Sequence, residues 1–268
     1  MRTRKASGQR MLFNLLAVIL SVIVFLMLFA HQVASMAMFQ PQAPRYSGGE
    51  GFFMLESGDG ESVSAYFAES PRARDTVFYF HGNAEDIGDI MPLLSTYRLR
   101  GYNVFCVDYR GYGLSAGEPT EANVYEDALA GLIFLTETKG IPVDSIILHG
   151  RSLGGGPATE LALHHNVGGL ILESTFRSIY KLYFPVRWVP GDKFCNEGKL
   201  GRVQCPVLVV HGKEDQVVPV SHGETLADEL PESQMETFWV EGAGHNDLVN
   251  RAGMSYWNRV DRFIRSTH

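Results

Sequence analysis

Three separated stretches carry residue types able to act together as nucleophile, base and acid. The run Ser145-Ile146-Ile147-Leu148-His149 ends in Gly150-Arg151-Ser152-Leu153-Gly154 and passes at once into helix-compatible sequence. A strand that turns sharply into a helix with serine at the apex holds that hydroxyl out for attack. Glycine is needed on each side, because a side chain at 150 or 154 would strike the neighbouring strand or helix in so tight a bend. The first N–H groups of the new helix face the same space, which makes Leu153 N–H a candidate donor to a developing oxyanion. Two further apolar runs deliver the other groups: Val207 to Val210 leads to His211-Gly212-Lys213-Glu214-Asp215, and Glu236 to Val240 leads to Glu241-Gly242-Ala243-Gly244-His245. His245 is then the general base to Ser152, and Asp215 fixes its tautomer and stabilises the imidazolium that forms.

The run ending at Phe80 supplies His81-Gly82-Asn83-Ala84, where the bend lets the Asn83 N–H serve as the second oxyanion donor. His81 reads as a structural hydrogen-bonding residue of that bend. Of the rival acids, Glu214 is one residue out of place, Asp247 suits the cap of the last helix and Glu173 leaves a different strand. His164, His165 and His222 fall in helical stretches and are expected at the surface. Gly113-Leu114-Ser115-Ala116-Gly117 repeats the glycine-serine pattern, but it lies beyond its strand and Glu118-Pro119 follow, so its context is a loop. No group of His, Cys or carboxylates has metal-ligand spacing, and no cofactor is expected.

Elements that could position these groups alternate along the chain. Phe52 to Glu56 and Ser62 to Ala68, around Gly58-Asp59-Gly60, predict a hairpin. Further strands are expected at Thr76 to Phe80, Asn103 to Val107, Ser145 to Leu148, Gly169 to Leu172, Val207 to Val210 and Glu236 to Val240. Helices are expected at Ile87 to Leu99, Ala122 to Glu137, Ser152 to about His165, Ser221 to Leu230 and Asp247 to Ile264. Apolar strands separated by helices predict an α/β fold, a mostly parallel sheet with helices on both faces, and the loops at the carboxyl ends of its strands are where a site belongs. Residues 175–204 are longer than an ordinary connection and predict a small lid. Its Phe176, Tyr180, Tyr183, Phe184, Trp188, Val189 and Phe194 suit the wall of an acyl-chain pocket or ordinary packing of the lid on the sheet.

The 268 residues, 45% hydrophobic and 20% charged, suffice for one globular domain and an addition at the start. Met11 to Ala30 is apolar apart from Asn14 and Ser21, long enough for a transmembrane helix. Arg2, Arg4, Lys5 and Arg10 precede it and no charge follows before Arg45, so the N-terminus is expected in the cytoplasm and the domain on the extracytoplasmic side. A cleaved signal peptide is the alternative, with small residues at Ser35-Met36-Ala37, although its apolar region would be shorter. The expected division is 1–34 for the basic tip and anchor, 35–49 for a linker, and 50–268 for the domain. After the first ten residues, 30 acidic against 19 basic side chains leave −11, a balance that argues against a nucleic-acid partner. The three cysteines, Cys106, Cys195 and Cys205, make no disulfide framework, though a Cys195–Cys205 bridge is conceivable outside the cytosol.

From Phe52 to the C-terminus the chain resembles the α/β-hydrolases. More narrowly it is similar to the Bem46-like serine hydrolases, through His81-Gly82-Asn83-Ala84-Glu85, Asp108-Tyr109-Arg110-Gly111-Tyr112-Gly113-Leu114-Ser115, Gly150-Arg151-Ser152-Leu153-Gly154-Gly155 and Gly244-His245-Asn246-Asp247. Pro157, inside the helix after Ser152, departs from an ideal helix start. That family includes membrane-anchored lipid hydrolases and protein depalmitoylases. The resemblance implies a serine hydrolase acting on acyl esters or thioesters. A peptidase of the same fold and a non-catalytic binding protein built on it are the alternatives.

Overall fold

The computed structural model describes residues 13–22, 24–25, 38–58, 60–71, 73–183 and 191–267. The chain divides into two units, Met1–Phe39 and Gln40–His268. In the first, residues 13–22 and 24–25 are helical and expose Leu16, Val18 and Leu20. Among the described residues no helix is long and apolar enough to cross a membrane, and the expected span from Met11 to Ala30 runs partly outside them.

The second unit is built on one eight-stranded sheet, in the order β1-β2-β4-β3-β5-β6-β7-β8. Its strands are β1 (Phe52–Glu56), β2 (Ser62–Ala68), β3 (Thr76–Phe80), β4 (Asn103–Val107), β5 (Ile146–Arg151), β6 (Gly169–Glu173), β7 (Val207–Gly212) and β8 (Met235–Val240). β1 pairs antiparallel with β2 and β2 with β4, and every later pairing is parallel. The residues of β3, β6 and β7 are all buried, as strands covered on both faces must be. β1 alternates exposed and half-buried positions at the sheet margin.

Helices α1 (Ile87–Leu99), α2 (Glu121–Ile133), α3 (Gly155–His164), α4 (Ile179–Tyr183), α5 (Ser221–Ala227), α6 (Leu248–Ala252) and α7 (Met254–Ser266) complete the unit. Val77, Tyr79, Ile147, Ile171, Leu208 and Val210, alternate residues of the central strands, form one core with Ile90, Leu94 and Tyr97 of α1 and Tyr256, Val260 and Phe263 of α7. The opposite face carries α2, where a Cβ on Gly131 would stand 2.8 Å from the Phe105 ring. Asp86 caps α1, accepting from Asp89 N while the Asp89 carboxylate accepts from Asp86 N.

Several boundaries differ from expectation. The helix predicted to reach Glu137 leaves α geometry after Ile133 and ends in a π-turn over Phe134–Thr138. The last predicted helix breaks in two at Gly253, whose φ of 53° an L side chain rarely adopts. α5 stops at Ala227, three residues short of the predicted end. Pro157 disturbs nothing, because it falls in the first turn of α3, where its missing N–H would have had no partner. Cys195 and Cys205 are free thiols rather than a bridge, and burial raises them to about 11 and about 12. His222 is buried, not at the surface, with Nδ1 accepting from Arg177 N at 3.2 Å.

Within the expected lid, Phe176 and Phe194 are buried and Tyr183 is exposed, while Phe184, Trp188 and Val189 lie outside the described residues. Phe194 packs edge-on to Tyr125 of α2, the packing reading for that residue. Asp192 pins the start of α4 by accepting from the Ser178 hydroxyl at 2.6 Å and Tyr180 N at 2.9 Å.

Candidate active site

Strand order reverses between β3 and β5, and open α/β sheets form their crevice at the carboxyl ends of the strands beside such a reversal. β5 ends there at Arg151, and Ser152 starts a 3₁₀ turn, Ser152–Gly154, that runs on into α3. Ser152 takes φ 52°, a left-handed conformation uncommon for a residue with a side chain. The flanking glycines answer to crowding rather than to φ. A Cβ on Gly150 would meet the Gly154 carbonyl and, at 2.7 Å, Gly155 Cα, while one on Gly154 would meet the carbonyls of Phe80 and His81. The bend therefore wedges the start of α3 against the end of β3.

Ser152 Oγ lies 3.1 Å from His245 Nε2, and His245 Nδ1 lies 2.7 Å from Asp215 Oδ2. A carboxylate can only accept, so Nδ1 carries the proton and the Nε2 lone pair faces the serine hydroxyl. Asp215 comes from the loop after β7, and its Oδ1 accepts from Val217 N at 2.9 Å and Val218 N at 2.8 Å. Burial disfavours the Asp215 charge, yet hydrogen bonding to His211, His245 and the Val218 N–H holds its carboxyl well below the usual carboxylate range. His211 Nε2 donates to the Val218 carbonyl at 2.8 Å and stands 3.4 Å from the same Oδ2, so Asp215 has an imidazole on each side.

Asn83 sits in the turn after β3, and its Oδ1 accepts from the Tyr112 hydroxyl at 2.6 Å and Gln40 N at 2.9 Å. Leu153 is buried as the second residue of the elbow. His81 is fully buried, with Nδ1 donating to the Gly82 carbonyl at 2.9 Å and Nε2 3.4 Å from Asp108. Ser115 is held elsewhere: its hydroxyl donates to the Asp108 carbonyl at 2.7 Å and accepts from Ser64 N at 2.8 Å. Glu214 is exposed. Asp247 precedes α6 without capping it through its side chain; it accepts from Gly244 N at 2.7 Å and pairs with Arg251 at 2.9 Å. Among the described residues no His, Cys, Asp and Glu group could hold a metal ion.

Two contacts of the elbow escaped the motif reading. Thr175 Oγ1 donates to the Ser152 carbonyl at 2.7 Å. Arg151 reaches Glu85, Glu173 and the main chain of His245. Glu85 does stand in the His81-Gly82-Asn83-Ala84-Glu85 stretch, and Arg151 is the residue before the serine. Only their reach across the sheet joins them.

A family profile described as Serine aminopeptidase, S33 matches residues 71–191. The Caenorhabditis elegans alpha/beta hydrolase domain-containing protein aho-3 is 39% identical over 200 residues, 72% of this chain and 58% of that protein. The human alpha/beta hydrolase domain-containing protein 17B is 36% identical over 216 residues, 79% of this chain and 74% of that protein. The chain belongs to the α/β-hydrolase family. A solved relative by shape is the Pyrococcus furiosus esterase Pf2001, with a TM-score of 0.71 and 16% identity over 85% of this hydrolase and 98% of that chain. An alpha-beta serine hydrolase homologue from Coxiella burnetii superposes with a TM-score of 0.62, also at 16% identity, over 82% of this chain and 99% of that one. Both share the fold of this α/β-hydrolase.

Proposed function

We propose that this α/β-hydrolase cleaves carboxylic esters or thioesters through a covalent acyl-enzyme, with the N-terminal segment tethering it to a membrane. The unbroken row from Ser152 Oγ through His245 to Asp215 carries the reading. Ser152 attacks the acyl carbon as its proton passes to His245 Nε2, and the imidazolium is stabilised by the charge on Asp215. The N–H groups of Leu153 and Asn83 receive the oxyanion. His245 then protonates the departing alcohol or thiol, and the same base activates the water that releases the acyl group.

Support for an acyl substrate comes from the aromatic residues between β6 and β7, of which Tyr183 is 70% exposed. Support for a tether comes from the apolar composition of Met11 to Ala30 and from Arg2, Arg4, Lys5 and Arg10 before it, which would keep the N-terminus cytoplasmic and the hydrolase unit on the extracytoplasmic side. Carbonate extraction and protease protection of the full chain test the tether; release by carbonate, or cleavage of the domain from the cytoplasmic side, would refute it.

Labelling by a fluorophosphonate tests the chemistry. Ser152→Ala should abolish labelling and turnover of p-nitrophenyl esters, while Ser115→Ala, whose hydroxyl is occupied by Asp108 and Ser64, should keep both. The opposite pattern sinks the assignment. The match to a serine aminopeptidase profile favours a peptidase as the second reading. Release of p-nitroaniline from aminoacyl anilides at rates exceeding ester turnover would decide for it.

A further inference from the structure

Arg151 occupies the position before the nucleophile, and its side chain is 12% exposed. Its Nη1 pairs with Glu85 Oε1, and its Nε lies 3.6 Å from Glu173 Oε1. Nη2 donates to the main-chain carbonyl of His245 at 3.0 Å and to Asn246 Oδ1 at 2.8 Å. The second oxygen of Glu85 accepts from Gly82 N at 2.8 Å, in the turn that carries Asn83. One guanidinium thus spans the turn after β3, the end of β6 and the loop after β8, from a base on β5.

The surroundings are fitted to it. A Cβ on Gly82 would stand 2.8 Å from Glu85 Oε2 and 3.2 Å from Arg151 Nη1, so glycine there leaves room for the pair. Glu173 is itself enclosed, accepting from the Tyr256 hydroxyl at 2.6 Å and standing 3.3 Å from His149 Nε2, whose ring bonds through Nδ1 to the Tyr97 hydroxyl at 2.8 Å. That chain of buried groups runs from α1 and α7 to the guanidinium, so its anchor is the core rather than the surface.

We infer that Arg151 is a positioning residue for catalysis: its guanidinium sets the pose of the His245 imidazole through that residue's own carbonyl, and sets the Asn83 turn through Glu85. The inference rests on the serine-hydrolase reading above. A planar fork with fixed donor directions can bind several acceptors at once, whereas a lysine ammonium would neutralise Glu85 and Glu173 but could not span them and the His245 carbonyl together. Misplacing a general base by a fraction of an ångström lowers the chemical step and leaves ground-state binding alone.

Steady-state kinetics of Arg151→Lys on a p-nitrophenyl ester, with the melting temperature alongside, test this. The expected result is kcat lowered roughly thirtyfold with KM within about twofold and melting unchanged, together with a matching fall in the fluorophosphonate labelling rate. A kcat equal to wild type, or a change confined to KM, overturns it, because a role limited to charge balance would survive the lysine. If Arg151→Lys fails to fold, Asn246→Ala, at an exposed position, carries the test through an expected fall in kcat of roughly threefold; an unchanged kcat there overturns the inference. Ser152→Ala run in parallel separates the two readings. Turnover that persists in Ser152→Ala defeats the hydrolase assignment, while its loss beside a fully active Arg151→Lys defeats only the role given to Arg151.

Discussion

The Thr175 hydroxyl donates to the main-chain carbonyl of Ser152 at 2.7 Å, so the strained apex of the elbow is clamped from the loop after β6. Thr175 is buried, and removing its hydroxyl without changing its shape would leave that carbonyl without this donor. Thr175→Val should lose about 1–2 kcal/mol in urea unfolding. Acylation by a fluorophosphonate should slow roughly tenfold as the serine drifts from His245. Unchanged stability and labelling would show the clamp to be idle.

The left-handed φ of 52° at Ser152 costs stability, as strain held at a functional site does. Glycine adopts that conformation freely, whereas alanine carries the same penalty as serine. Both Ser152→Gly and Ser152→Ala should be inactive, but the glycine protein should be the more stable of the two by about 1 kcal/mol. Their relative melting temperatures check this.

Asp215→Asn keeps the size of the side chain and removes its charge. The amide NH₂ cannot accept from His245 Nδ1, so the imidazole would turn its proton toward Ser152 and lose its basic lone pair there. A fall in kcat on the order of 10⁴ is expected, with KM little changed. Activity within tenfold of wild type would remove Asp215 from the row.

Acid stability has an identifiable contributor in the expected lid. Arg177 binds Glu197 at 2.8 and 2.9 Å, and against the opposing effect of burial this bidentate pair and Lys181 bring the Glu197 carboxyl down to about 2. A folded value below the unfolded one near 4.5 stabilises the protein above pH 4.5 and is lost as the pH falls toward 2. The urea midpoint should decline across that window, and Glu197→Gln should flatten the decline. An identical slope in the variant would exclude this pair.

Structure is legible in the sequence where one local pattern settles it. Thr76–Phe80 is mostly apolar, is buried at every position and forms a strand covered on both faces. Ser152, Asp215 and His245 each follow a parallel strand within a few residues, so the sheet brings their loops to one edge. A side chain that acts at a distance leaves no such local sign. Nothing near Arg151 in sequence announces Glu173, and nothing near His222 announces the Arg177 N–H that meets it. The break at Gly253 was hidden because the residues on both of its sides are helical.

Among the described residues β8 is the last strand of the sheet and bonds to β7 alone; five of its six residues are half-buried. The imidazole hangs from the loop just beyond it, so the proposed chemistry depends on an edge strand that is only partly enclosed. Peeling that single ribbon away would silence the enzyme while the other seven strands still stood, which makes heat inactivation an early local event ahead of collapse of the whole.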